Sequence, residues 1–235
     1  MIKFIKGLYN YISLFRNVYY YFNNYSSLKN DINRINRITE LVTICGPVSI
    51  KFCQWITPKI EAIEGDDCYL VKTLKRYYED CPIHSMEYSS QQYKNEFNED
   101  IDLKYDIIKL IGSGSIGQVY LVFNKIKKRR EVIKIIHPGI YDDIILFQNI
   151  VNFLFLFPCI YSKYKQICPF DINSFIEQFK EQIDLVKEAN NNLYFKDLYS
   201  DNKFIRFPDI YQISKRVLIM SYEDGLYFHD DTIDD

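Results

Sequence analysis

The sequence predicts an α+β fold, in which a long helical stretch precedes a small antiparallel sheet with a key helix inserted into it. Three observations predict it. Residues 1–100 repeat apolar side chains at steps of three and four, as through Ile35, Ile38, Leu41 and Val42, which is the helical period. From residue 105 the texture changes to short β-branched runs, Ile107–Ile111, Gln118–Phe123 and Glu131–Ile136, punctuated by glycines and charges. Helical text and two further short runs follow, so the element order is β-β-β-α-β-β.

Within the helical zone a turn is expected at Cys45-Gly46-Pro47, with helices resuming through Trp55 and over Leu70–Tyr78. The polar stretch Tyr88–Asn98 reads as the linker between a helical extension, residues 1–100, and a second domain, residues 101–235. Residues 1–30 hold no Asp or Glu and carry Lys3, Lys6, Arg16 and Lys29 among bulky apolar side chains. That pattern suits a helix packed on its own domain, and it equally suits a helix lying on a membrane surface. In the second domain, Asn124–Arg130 (NKIKKRR) suits the tip of a hairpin. Ile144–Tyr161 approaches the ~20 apolar residues of a membrane span. Gln148, Asn149 and Asn152 interrupt it and Pro158 ends or kinks it, so a buried or docked helix is expected. A single long helix is predicted from Ile172 to Leu198, with Phe175, Phe179, Ile183, Val186 and Leu193 on one face. Strands are predicted at Phe204–Ile210 and Val217–Tyr222, joined by a turn at Ser214-Lys215-Arg216.

Composition narrows the classes. The chain has 235 residues, 48% hydrophobic and 26% charged, enough for one or two domains with a sizeable core. A net charge of −2 argues against a nucleic-acid binder. The 21 Tyr and 17 Phe stand against only Ala62 and Ala189, which reads as AT-rich coding rather than as a functional device. Cys45, Cys53, Cys68, Cys81, Cys159 and Cys168 lie at wide, irregular spacings, and the His residues are scattered. No metal-ligand pattern assembles from them, and free thiols in a reducing, intracellular compartment are expected.

The chemistry gathers around Ile111-Gly112-Ser113-Gly114-Ser115-Ile116-Gly117-Gln118-Val119. This is G-x-G-x-x-G-x-V between two predicted strands, the pattern of a loop that covers nucleotide phosphates with its backbone N–H groups. Glycine fits because the backbone must approach phosphate oxygens closely. Lys134 follows on the third strand, in Glu131-Val132-Ile133-Lys134, where an ammonium would hold the phosphates of ATP. Such a lysine needs a carboxylate to fix it, and Glu188 on the next long helix is the candidate. Loop, lysine, helix carboxylate and antiparallel sheet together describe the small lobe of a protein kinase.

Four stretches, in order, further resemble the UbiB/ADCK family of atypical kinase-like proteins. Gly46-Pro47-Val48-Ser49-Ile50-Lys51-Phe52-Cys53-Gln54 is similar to its G-P-x-x-I-K-x-G-Q signature, and Asp80-Cys81-Pro82 to its D-x-x-P stretch. Ser115–Val119, Lys134 and His137-Pro138-Gly139-Ile140 resemble S-I-G-Q-V and V-K-x-x-H-P-G-I. Gln182–Asn190 resembles the E-x-D-x-x-x-E-A-x-N helix, and the long insertion between Lys and Glu belongs to the family as well. The resemblance covers roughly residues 40–225.

It implies that Lys51 and Gln54 point into the nucleotide site, that Asp184 partners Lys51, and that Lys134 pairs with Glu188. Residues 112–118 would cover the phosphates of ATP or ADP with Mg²⁺. Met220 would be the gatekeeper, and Ser221, Tyr222 and Glu223 would meet adenine. Three positions depart from the family pattern. Gly112 and Gly114 replace an Ala-rich loop, Cys53 replaces the Gly of K-x-G-Q, and Gln182 replaces the Glu of E-x-D.

A kinase carries its catalytic Asp and its metal-binding Asn and Asp beyond the hinge. Here 10 residues follow Gly225, ending in the acidic His229–Asp235, so a small lobe without its large lobe is expected. Three functional readings follow. One is the front part of an atypical kinase or ATPase, linked by resemblance to lipid or isoprenoid-quinone metabolism and completed by a separate large-lobe chain. Another is a non-catalytic module that binds nucleotide or a protein partner on the exposed lobe face. The last is a structural protein docked on a membrane.

Overall fold

The computed structural model describes residues 2–78, 81–167 and 171–225. Asp80, Cys168 and the His229–Asp235 tail lie outside the described residues. The helices before the sheet are α1 (Ile2–Asn23), α2 (Tyr25–Leu28), α3 (Ile32–Cys45), α4 (Pro47–Glu64), α5 (Tyr69–Lys75), α6 (Met86–Phe97) and α7 (Ile101–Lys104). Strands β1 (Tyr105–Ser113), β2 (Gly117–Asn124) and β3 (Arg129–Ile136) follow. Helices α8 (Ile140–Phe155), α9 (Pro158–Ile167), α10 (Ile172–Gln182) and α11 (Leu185–Leu198) lead to β4 (Ile210–Ile213) and β5 (Val217–Ser221). Two compact units share these elements. One holds the described residues up to Ser89 with 112–118 and 136–183; the other holds 90–111, 119–135 and the described residues from Asp184.

The first unit is helical. Asp31 caps α3 through Arg34 N (2.9 Å), and Gly46, at φ 91°, turns the chain into α4 with Pro47 in its first turn. A left-handed glycine is needed there, and a Cβ would also come within 3.2 Å of Asp143 Oδ2. Ile35, Ile38, Leu41 and Val42 are buried, as their spacing predicts. Gly7 lets α1 approach α8, because a Cβ there would sit 2.8 Å from Leu146. Phe52, Phe147 and Phe175 form an aromatic cluster with Trp55. The apolar stretch from Ile144 is not one helix. It ends with α8, which buries Ile144, Phe147, Ile150 and Val151, and Pro158 opens α9 at a 105° bend.

The second unit carries a five-stranded sheet in the order β1-β2-β3-β5-β4. Strand β3 pairs antiparallel with β5, placing Lys134 opposite Leu218, and β4 adds antiparallel to β5. The hairpin tip is where the basic run predicts it. Asn124 Oδ1 accepts from the backbone N–H groups of Ile126 and Lys127, and Lys128 takes φ 54°. Its charges are engaged structurally: Lys125 with Asp106, Arg129 with Glu131, and Arg130 with Asp224. Glu131, fully buried, accepts from Asn124 Nδ2 (3.1 Å) and Arg129 Nε (2.7 Å).

Three expectations need correction. Tyr88–Asn98 is not a linker but most of α6, held by Gln91–Asn95 and Gln92–Glu96 side-chain bonds one turn apart, with Tyr93 buried against Tyr105. The single helix over Ile172–Leu198 is two. Ile183 ends α10, and Asp184 turns to extended backbone and caps α11 through Val186 N and Lys187 N. The break resets the helical phase, so Leu185 and Ala189 are buried while Leu193 is half exposed. The strand predicted at Phe204–Ile210 begins only at Ile210, and Phe204 is 98% exposed.

Candidate nucleotide site

In the second unit the sheet and α11 bring together the two residues on which the nucleotide reading depends. Lys134 lies on β3 between Ile133 and Ile135, both fully buried, and its side chain is 19% exposed. Its Nζ donates to both carboxylate oxygens of Glu188 at 2.7 Å. Glu188 stands in the first turn of α11, where the helix dipole favours a negative charge. Asp184, one turn earlier, spends its carboxylate on the cap of that helix and so sets where Glu188 points. Met220 lies opposite Val132 in the β3–β5 register, and Tyr222 packs under the Arg130 guanidinium at 4.8 Å. The Ser221 hydroxyl donates to Glu223 (2.6 Å) just beyond the end of β5.

The glycine-rich loop, residues 112–118, belongs to the first unit and is fastened there at several points. Gly114 N–H donates to Gly117 O (3.0 Å), closing the turn. Ser113 Oγ donates to Pro82 O (3.1 Å), and Ser115 Oγ donates to Gln54 Oε1 (3.0 Å). Gln54 is steadied in turn, because its Nε2 donates to Tyr77 O (2.5 Å). Lys51 lies one turn before Gln54 on α4 and is partly buried. Gln118 is buried and bonds both backbone groups of His84, accepting from its N–H (2.9 Å) and donating to its C=O (3.1 Å). Val119, on β2, is partly buried between the buried Gln118 and Tyr120.

Neither Gly112 nor Gly114 has a positive φ, and a Cβ would find open space at Gly112 and ordinary contact at Gly114. The fold itself therefore does not demand glycine at these two positions. What their absent side chains leave is room beside backbone N–H groups.

The first two segments of the resemblance, residues 46–54 and 81–82, thus meet the loop through Gln54 and Pro82. One residue escapes sequence reasoning. His84 stands at Nδ1–Nδ1 2.8 Å from His137, whose Nε2 bonds Gly114 O at 2.8 Å. A lone histidine has no local pattern, and its partner is distant in sequence, so nothing short of the fold could have marked it.

The model of the ABC1 atypical kinase-like domain matches residues 76–234. The chain belongs to the ABC1 atypical kinase-like family. Two ABC1-family relatives from Arabidopsis thaliana agree. The chain is 26% identical over 203 residues to Protein ACTIVITY OF BC1 COMPLEX KINASE 1, chloroplastic, covering 82% of this chain and 29% of that one. It is 23% identical over 209 residues to Protein ACTIVITY OF BC1 COMPLEX KINASE 3, chloroplastic, covering 84% of this chain and 28% of the relative. The chain therefore spans less than a third of the length of the curated relatives it matches. The α+β, kinase-like small-lobe architecture expected from sequence is the architecture found, in an ABC1-family chain. Among the described residues no single helix is long and apolar enough to cross a membrane.

Proposed function

We propose that this ABC1-family chain binds ATP or ADP with Mg²⁺ as the nucleotide-positioning part of an atypical kinase or ATPase. The observation that carries the reading is the bidentate Lys134–Glu188 pair on β3 and α11. With Glu188 more than a third exposed, solvent screening holds the pair's contribution to stability to about 1 kcal/mol. Its chemical use is to hold an ammonium in place for phosphate oxygens. Gly112 and Gly114, not required by their own backbone, favour the same reading by keeping the space at the loop free of side chains. In this reading the described residues bind and orient nucleotide. Mg²⁺ is held mainly, and phosphoryl chemistry completed, by kinase residues outside them. The resemblance adds a lipid-like substrate of the isoprenoid-quinone type, and the relatives' names add an organellar setting.

The test is thermal-shift binding of MgATP and MgADP to the wild type beside Lys134→Ala. Stabilisation that is lost in the variant supports the reading, since a ligand at 100 times its Kd adds about 2.7 kcal/mol. No shift with either nucleotide would refute it and leave a scaffold.

A second reading, docking on a membrane surface, rests on α1. Ile5, Tyr9, Ile12 and Tyr19 lie exposed at helical steps beside Lys6 and Arg16, and the helix holds no acid. Co-sedimentation with anionic but not neutral vesicles, weakened by Tyr9→Asp and indifferent to Lys134→Ala, is its expected signature.

A further inference from the structure

The loop is held by a chain of hydrogen bonds that admits one arrangement of protons when neutral. Gly114 O can only accept, so His137 Nε2 carries a hydrogen. In a neutral imidazole His137 Nδ1 is then bare and accepts from His84 Nδ1, 2.8 Å away. His84 Nε2 is left bare in turn, and the Ser89 hydroxyl donates to it at 2.9 Å. The two rings stand at 89° with centroids 5.0 Å apart, a geometry that accommodates an N–H to N bond. The same histidine grips the far end of the loop, because its backbone N–H and C=O are both bonded by Gln118. His137 N–H adds a bond to Ile116 O (2.9 Å). Through these contacts the pair touches the loop at Gly114, Ile116 and Gln118.

We infer that His84 is a positioning residue for the glycine-rich loop, acting through His137 and Gln118 to hold the loop backbone in its phosphate-ready shape. The inference rests on the nucleotide reading above. Acid should release the clamp. A proton added at His137 Nδ1 sets two N–H groups face to face across 2.8 Å, whereas one added at His84 Nε2 only reverses the bond to Ser89, whose hydroxyl turns to Ser85 O at 3.4 Å. Burial opposes both additions. The titratable groups around the pair are few. Cys81 comes from the strap before α6, and Tyr88, edge-on to His84, from α6 itself. Glu87 is exposed on the first turn of α6, its carboxylate engaged by its own N–H and the Ser85 hydroxyl. Residues 112–118 carry no charge, and Thr43, Gly46, Pro47 and Ile50 of α3 and α4, which line the adjoining cavity of about 150 Å³, are uncharged too.

The experiment compares the full chain with His84→Ala and His84→Asn. Asparagine keeps a donor where Nδ1–H stood and does not titrate. Without nucleotide, amide exchange in residues 114–118 should quicken about tenfold in His84→Ala and return to near the wild-type rate in His84→Asn, with α3 unchanged in both. MgADP should bind about tenfold more weakly to His84→Ala at pH 7.5, the loss expected of one buried hydrogen bond. Wild-type affinity should hold between pH 7.5 and 5.0 and fall as pH drops towards 4, and that of His84→Asn should fall less. Unchanged loop exchange in His84→Ala overturns the inference, as does an asparagine variant as impaired as the alanine one. Should the wild type bind no MgADP while His84→Ala still frees the loop amides, the clamp stands and the nucleotide reading falls.

Discussion

Acidification should cost the folded protein stability through the same two histidines, by an amount that can be worked out. His84 is lowered from 6.5 to about 4, first by burial and then by His137. His137 is lowered as well, chiefly by burial and against the pull of Gly114 O. A base whose folded pKa lies below its unfolded one takes up protons on unfolding, so stability rises with pH across the gap. The contribution is fully present above about pH 6.5 and is lost as pH falls towards 4. At pH 5.0 the unfolded chain holds its proton about 1.5 units more strongly than the medium demands, which at ~1.4 kcal/mol per unit is ~2 kcal/mol. His84 keeps part of its surface in solvent, and halving for screening leaves ~1 kcal/mol. For a chain of this size that is a melting-point loss of about 2–4 °C. The assay is chemical denaturation at pH 7.5 and 5.0 on the wild type and His84→Asn. Because the carboxylates are common to both, the difference of differences isolates the imidazole. A wild type that loses no more stability than His84→Asn over this range would refute the reasoning.

Glycine should matter in opposite ways at two positions. Gly46→Ala forces a Cβ into φ 91° and towards Asp143, and should cost on the order of 1–3 kcal/mol. Gly112→Ala, in extended backbone with open space, should be neutral or gain up to ~1 kcal/mol, as melting temperatures would show. Glu131→Ala should cost about 1–3 kcal/mol in urea unfolding, because it strips the buried Asn124 amide of its acceptor while the half-exposed Arg129 turns to water; a loss below ~0.5 kcal/mol would mean the carboxylate is better hydrated than its burial implies. A double-mutant cycle of Gln54→Ala and Ser115→Ala should return a coupling of about 0.5–1.5 kcal/mol, and strict additivity would mean their 3.0 Å bond contributes nothing.

The parts of this protein legible in its sequence are those where local pattern and tertiary role coincide. Lys134 and Glu188 could be paired in advance because strand and helix texture placed each on its element, and the motif order supplied the partner across 54 residues. The break at Asp184 was not legible. An aspartate in a helical run is equally at home on a wet face, and only the burial of Ile183 and Leu185 on either side shows that the chain must turn there. Helix α6 was misread because its polar text carries little apolar period, and its order comes from Tyr93 packing on Tyr105 and from side-chain bonds one turn apart. At Phe204–Ile210 alternation suggested a strand, but nothing covers Phe204, and pairing begins only where Ile210 meets Met220.

The glycine-rich loop shows what the fold adds to a motif. Sequence alone presents a loop whose backbone covers phosphates, and leaves its serine and glutamine side chains unassigned to any partner within the fold. In the fold each serine hydroxyl of the loop is already spent on a partner from the helical extension, Ser113 on Pro82 and Ser115 on Gln54. Gly114 and Gln118 are spent on the histidine pair. Mobility follows from unsatisfied or solvent-satisfied groups, and this loop has few. Ser115 and Gln118, which the motif alone would assign to nucleotide, are therefore better placed to fix the loop than to touch a ligand. The extension and the loop form one mechanical part, so a change in the 46–54 or 81–84 segments acts on the loop it anchors.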